Sequence, residues 1–220
     1  MAQIALSFGG FEIAASTNQS NTIANITTGD VDAYLPRLEA SFSMSFDTWN
    51  FRVLGGYNYY EIEDGGANFQ DIDVSSWLLG ADVGFNFGPA FIRAAASAGT
   101  NWNEAGWSIT GDPPARYKGG NSSSTADVDV AQGHVSGGFK FTDQLTLEAG
   151  VGVYNVDPDF QGFDDSSGTT AYVQAVITMA PGVYIVPEVG YQTFTADYTT
   201  DEAFSAGSQF YAGAKWQIDF

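Results

Sequence analysis

His134 is the only histidine in the chain, and it alternates with Gln132 and Ser136 at two-residue spacing. A histidine near a serine is the beginning of acyl-transfer chemistry, in which imidazole takes the hydroxyl proton and a third group orients the ring. That chemistry needs a base within hydrogen-bond reach of a substrate at an accessible rim. The nearest acids belong to other segments, so the spacing favours a hydrogen-bonded interior histidine, and the chain reads as a non-enzyme. A second chemistry is offered by the carboxylate pairs Asp127-Val128-Asp129, Asp157-Pro158-Asp159 and Asp164-Asp165. Hard cations such as Ca²⁺ take about six to eight oxygen ligands, but none of these pairs has EF-hand spacing. Asp127, Asp129, Asp164 and Asp165 are therefore only weak loop candidates for a divalent ion. No dedicated metal and no cofactor are expected. A third set occupies the polar phase of alternating segments: Arg37, Glu39, Arg52, Asp82, Arg93, His134, Lys140, Glu148, Glu188 and Lys215, with Asp219 beside them. It contains five of the seven basic residues in the chain, together with five acids. Such a balance suits a confined interior, where an unpaired ion costs several kcal/mol.

The segments that carry these residues are strands. From Phe210 to Phe220 the chain alternates strictly, with Phe210, Ala212, Ala214, Trp216, Ile218 and Phe220 on one face and Tyr211, Gly213, Lys215, Gln217 and Asp219 on the other. The same period-two pattern predicts about ten strands, over 3–15, 33–46, 49–61, 74–87, 90–102, 128–141, 144–155, 170–180, 183–196 and 207–220. Each is near or above the roughly 9 to 11 residues of a tilted membrane strand. Tight turns are expected at Asp47-Thr48, Gly88-Pro89, Thr142-Asp143 and Pro181-Gly182. Long connections alternate with them, over about 16–32, 62–73, 103–127, 156–169 and 197–206. The first strand keeps its alternation only with a bulge at Gly9-Gly10, since otherwise Glu12 would point outward.

The outward phase carries no charge through sets such as Leu38, Ala40, Phe42, Met44 and Phe46, or Trp77, Leu79, Ala81, Val83, Phe85 and Phe87. Aromatic residues gather at strand ends, Phe46, Trp49, Phe87, Phe141, Trp216 and Phe220 near the short turns and Tyr57, Tyr59, Trp77 and Tyr191 towards the loops. Two such belts mark two membrane interfaces. A soluble β-sandwich would need ten strands far longer than the usual five or six residues. The expected fold is therefore all-β, a single transmembrane antiparallel up-and-down β-barrel over 1–220. An even strand count would place both termini at the short-turn end.

Composition agrees with strand crossing. No apolar run approaches the roughly 20 residues of a spanning helix, and the 220 residues include 26 glycines and no cysteine. Without cysteine there is no disulfide or thiolate metal site, which weakly suits an oxidising, envelope compartment. The start MetAlaGlnIleAlaLeuSerPhe lacks the basic and apolar regions of a signal peptide, which an exported protein would have lost. The formal charge of -19 argues against a nucleic-acid partner, since phosphate binding needs clustered Lys and Arg. Most of the excess acid falls at the long-loop end, and an acidic mouth would concentrate cations within about 8 Å at physiological salt. In the 103–127 connection, Arg116 and Lys118 are the only basic residues outside the wall, so this loop is expected to fold towards the mouth and narrow it.

The alternating Ala214, Trp216, Ile218 and terminal Phe220 resemble the C-terminal strand of Gram-negative outer-membrane β-barrels. Segments such as TrpAsnPheArgValLeuGlyGlyTyr, PheThrAspGlnLeuThrLeuGluAlaGly and TyrAlaGlyAlaLysTrpGlnIleAspPhe resemble the C-terminal part of porins about twice this length. The resemblance implies short periplasmic turns, long extracellular loops, periplasmic termini, outer-membrane lipid as partner and a passive channel for ions or small solutes, often a trimer. General porins have about 16 to 18 strands, and about eight strands are just filled by side chains. Ten strands therefore imply either a narrow or plugged barrel or a natural or engineered half-length piece of a larger porin. A cation-preferring channel is the expected function. The alternative is a non-conducting barrel, an anchor or adhesin, closed by Arg37, Glu39, Arg52, Glu148, Glu188 and Lys215 pairing across it.

Overall fold

Period-two alternation is realised as a meander in which almost every strand pairs with the next. The computed structural model describes residues 3–17, 30–63, 71–107, 115–117, 125–159, 165–195 and 207–219. A hairpin of β1 (Gln3–Phe8) and β2 (Phe11–Ser16) precedes the short β3 (Asp30–Asp32), then β4 (Arg37–Ser45), β5 (Trp49–Glu63), β6 (Ile72–Phe87) and β7 (Ala90–Thr100). One helical turn, α1 (Trp102–Ala105), and a ribbon of β8 (Arg116–Tyr117) and β9 (Thr125–Ala126) follow. The meander resumes with β10 (Val128–Thr142), β11 (Leu145–Pro158), β12 (Ser166–Ala180), β13 (Val183–Thr195) and β14 (Gly207–Ile218). Sheet order follows chain order except that β3 pairs with β5 off the main path and β7 pairs with β10, giving a twelve-stranded sheet.

The expected strand over 3–15 is corrected. Gly9 and Gly10 form a two-residue hairpin loop rather than a bulge, with Phe8 opposite Phe11 and Gly9 at φ 59°. Glycine serves both devices, and here the tight reversal takes the positive φ that glycine alone adopts freely. Glu12 then sits in register with Ser7 and Ser41, away from the outer face. The extra reversal makes eleven strands in the meander instead of ten, so the termini are not both at the short-turn end. Gln3 pairs with Ser16 at the long-loop end, while Ile218 pairs with Val183 beside the Pro181-Gly182 turn. Among the described residues β1 and β14 do not pair, so the sheet has two open edges.

The outer face is apolar from the short turns to the loop end. Leu79 is 62% exposed, and Val53, Ile92, Val135, Val153 and Val173 are also exposed, a continuous surface that a soluble monomer would cover. At the short-turn end Phe46 stacks on Trp49 at 4.4 Å, and Trp49 continues to Phe51 and Phe85. Tyr57, Trp77 and Tyr191 are exposed towards the loop end. Between the two belts the outer register holds no charge, where a basic residue facing lipid would cost about 2–4 kcal/mol. The buried residues lie on the opposite, inner face, in two clusters near the loop end. Tyr60, Ile62, Ile72 and Val74 pack with Ala115, and Val128, Val130 and Val156 pack with Trp102.

Candidate functional site

The inner clusters exist because the chain leaves the sheet after β7 and turns onto its inner face. Asn101 makes the turn at φ 53° and ψ 47°, a left-handed conformation that asparagine tolerates better than most residues. Its amide nitrogen donates to the Ser75 carbonyl and to Asp127 Oδ1, both at 2.9 Å, and its Oδ1 accepts from the Val128 amide at 2.9 Å. Trp102, 1% exposed, then enters the Val128 cluster and donates Nε1–H to the Trp77 carbonyl at 3.2 Å. Trp107 donates its Nε1–H to Glu39 Oε1 at 2.6 Å, and Arg37 donates to the Ala105 carbonyl at 2.6 Å. Arg37 and Glu39 themselves pair at 3.3 Å. The Trp107 ring fills the space that a Cβ on Gly56 would occupy, so glycine is needed there. Further along, Glu104 Oε1 accepts from the Ala115 amide at 2.7 Å. Together these contacts tie 101–107 and residue 115 to β4, β5, β6 and β10.

Register places the sequence-predicted wall residues on this same face. Arg52 and Asp82 are direct cross-strand partners and pair at 2.7 Å. Arg93 lies over the Phe91 ring at 5.0 Å. Glu148 accepts from Tyr172 at 2.6 Å and Glu188 from Tyr211 at 2.9 Å, with Gln174 in register between the two carboxylates. His134 stacks parallel to Tyr172, ring centres 6.1 Å apart. Lys140 sits at the short-turn end, 2.8 Å from Asp143, and this hydrogen bond and charge hold the Asp143 carboxyl below its ordinary value. Lys215 is opposite Val186 on the edge strand β14. Lys118, Asp164, Phe220 and the Arg116 side chain lie outside the described residues.

The described acids at the loop end are arranged differently from an acid-lined mouth. Asp30 and Asp32 are in register with Glu63 and Glu61, and Glu61 with Asp73, all sharing the outer phase of Tyr59 and Trp77. Asp129 and Asp157 are cross-strand partners on the outer phase too. These carboxylates ring the outside of the wall, just beyond its aromatic belt. Period-two parity decides this, since each continues the outward phase of its strand. The Asp157 carboxyl is raised by a hydrogen bond shared with Asp165, then by desolvation and by the charges of Asp165, Asp129 and Asp159. Asp127 accepts from Asn101 and Thr125, and Asp129 from Thr100. No group of three metal-ligating side chains occurs among the described residues.

Below the inserted segment the inner face hollows into a cavity of about 490 Å³. Trp102, Trp107 and Tyr154 line it together with Arg52, Asp82 and Gln132. Sequence reading missed Asn101, Trp102, Glu104 and Trp107 as positioning residues. Their signal was local: an asparagine where alternation stops, then two tryptophans around Gly106.

No family model matches the chain, and no curated protein matches it. Solved structures do. The outer-membrane channel DcaP of Acinetobacter baumannii superposes with a TM-score of 0.69 at 16% identity, over 99% of this chain and 61% of that one. OmpT of Vibrio cholerae, expressed in the outer membrane, gives 0.55 at 15% identity over 98% and 63%, and a porin refined at 1.8 Å gives 0.51 at 17% over 98% and 60%. The chain thus spans about three fifths of the length of these structures. An apolar outer wall, a polar inner face with an inserted segment, and these superpositions together show that the chain has a porin-like outer-membrane β-barrel fold.

Proposed function

We propose that this chain builds the wall of a passive diffusion channel in a bacterial outer membrane, admitting ions or small solutes. The observation that carries the reading is the division of faces: an uncharged apolar exterior, and an interior with paired charges into which one connection is tied. In this reading the inward segment 101–107 narrows the path, the rest of the 103–127 connection lying largely outside the described residues, and Arg37, Glu39, Arg52, Asp82, Arg93, His134, Lys140, Glu148, Glu188 and Lys215 set the local field. The preference for cations rests on Glu148 and Glu188, two inward carboxylates held by tyrosines rather than by bases. The external acids add a longer-range attraction. Outer-membrane lipid is the surrounding partner, and a homotrimer is proposed on resemblance to porins alone. Catalysis is outside this reading, because His134 lies flat against Tyr172 at mid-wall.

Reconstitution in a planar bilayer under a salt gradient tests it. Steady conductance with a cation-selective reversal potential is expected, and deletion of 112–124 should raise the conductance. Folded protein that never conducts overturns the channel.

A further inference from the structure

We propose that the cavity beneath the inserted segment is a binding site for an uncharged, ring-shaped polyhydroxylated solute, with the chemistry of a pyranose sugar. The inference rests on the channel reading for its setting and on the cavity for its chemistry. Size comes first: about 490 Å³ falls in the usual range of small-ligand sites, roughly 300–1,000 Å³.

The roof and one flank are aromatic carbon. Both roof indoles already spend their N–H groups on protein acceptors, Trp102 on the Trp77 carbonyl and Trp107 on Glu39. Trp102 is 1% exposed and backs the roof from within, so the apolar ring surface offered to a solute is that of the half-buried Trp107 and Tyr154, held rigidly and so at little entropic cost. A flat solute with an apolar face fits such a surface.

Charge decides between solutes of that shape. The full charges lining the cavity are Arg52 and Asp82, and they neutralise one another at 2.7 Å. A cationic solute would meet the guanidinium and an anionic one the carboxylate, so neither gains over a neutral ring. The remaining polar groups are mixed in sense. The Gln132 amide, which already donates to Ser97 Oγ at 3.1 Å, keeps an acceptor oxygen and a second N–H. Asp82 accepts, Arg52 donates, and Thr170 and Ser97 do both. Hydroxyl groups, which donate and accept, satisfy such a set, whereas a purely accepting or purely donating solute leaves members unpaired.

The wall also provides a clean way to close the site. Gly152 lines the cavity without a positive φ, and a Cβ there would meet its nearest neighbours, the Gly133 carbonyl and His134, at an ordinary 3.7 Å. A larger side chain can therefore grow into the cavity without straining the backbone.

The test is equilibrium binding to the full chain folded in detergent, followed by tryptophan fluorescence and by equilibrium dialysis with labelled sugar. The probes are glucose, maltose, glucosamine and glucuronate. Saturable binding of a neutral sugar at millimolar concentration is expected. Gly152→Leu should weaken it at least tenfold while the folded-form mobility on gels is unchanged. Absence of saturable neutral-sugar binding by the unsubstituted protein overturns the inference, and so does tighter binding of either charged probe or full retention of binding by a folded Gly152→Leu protein. Because binding is read without a membrane potential, conductance with no sugar binding removes only this inference. Sugar binding by a protein that never conducts removes only the channel reading.

Discussion

Asn101 fixes the point at which the chain leaves the sheet and turns onto its inner face. It is 1% exposed, adopts a left-handed backbone, and makes three side-chain hydrogen bonds that join the end of β7 to β6 and β10. Asn101→Ala loses all three bonds and places a Cβ-bearing residue without local hydrogen bonding in that conformation. At about 1 kcal/mol per bond and roughly 1 kcal/mol for the backbone, we expect a loss of about 3–4 kcal/mol in denaturant unfolding. Asn101→Gly should recover about 1 kcal/mol of that, because glycine takes positive φ freely. Tryptophan emission should shift red in Asn101→Ala as Trp102 and Trp107 leave their places, and an unshifted spectrum with unchanged stability would refute this role. Aromatic rings along the inner wall obey a related rule of space. Tyr172 and Tyr211 lie over Gly150 and Gly190, their register partners, so the rings stay flat against the sheet and present hydroxyls to Glu148 and Glu188.

At the scale of elements, the hairpin of β11 and β12 ends at the Asp157 carboxyl, whose proton affinity is raised by its neighbours. The Asp157 carboxyl stands above the ordinary 3.8 because of its hydrogen bond with Asp165, its desolvation and the neighbouring charges. A raised folded-state value means that the folded form binds the proton more tightly than the unfolded one. Its stabilising contribution is therefore complete below about pH 4 and is lost as pH rises through the folded value. Amide exchange around 156–158 and 165–168 should accelerate over that rise, and Asp157→Asn should flatten the dependence. Equal pH dependence in both proteins would show that this pair does not govern the hairpin end. The inserted segment behaves as an element in the same sense. Arg37 and Glu39 on one strand reach Ala105 and Trp107 on the segment, and each bond to a charged group contributes about 1.5–3 kcal/mol.

Over the whole molecule, the open edges are the feature that membrane physics constrains most. Backbone groups without partners cost several kcal/mol each in hydrocarbon, so spanning sheets are closed. The edge strands carry the wall pattern in full, with Ile4, Leu6 and Phe8 on β1 and Phe210, Trp216 and Ile218 on β14 exposed on the outer phase. Eleven strands in an antiparallel meander leave β1 and β14 running the same way. Direct closure would thus be a parallel seam, and an all-antiparallel wall needs an odd number of strands between them. For the chain alone in detergent, hydrogen exchange should be faster along β1 and β14 than along β10 and β11. Equal protection would mean that the two edges are covered.

Alternation by itself fixed the architecture. A period of two over strands longer than ten residues separates the faces whatever the strands pair with, so the uncharged outer wall, three of the four tight turns and the inward positions of Arg52, Asp82, Glu148 and Glu188 were readable from the chain. The turn expected at Thr142-Asp143 lies one residue later, at Asp143-Gln144, because Thr142 pairs with Leu145 after a register shift. Gly9-Gly10 was not decided there, since the same dipeptide serves a bulge or a turn, and only pairing of β1 with β2 distinguished them. Nor was the position of Asp30, Asp32, Glu61, Glu63, Asp73, Asp129 and Asp157, which the sequence placed at the loop end and which pairing register puts on the outer phase of the wall. The site itself is tertiary. Trp102 and Trp107 sit in a connection without periodicity, and their inward positions come from contacts with residues 25 and 68 positions away, which no local pattern encodes. The sequence determines which face each strand offers, and the structure decides what is laid upon it, because packing across the sheet depends on register and on the path of the connecting chain.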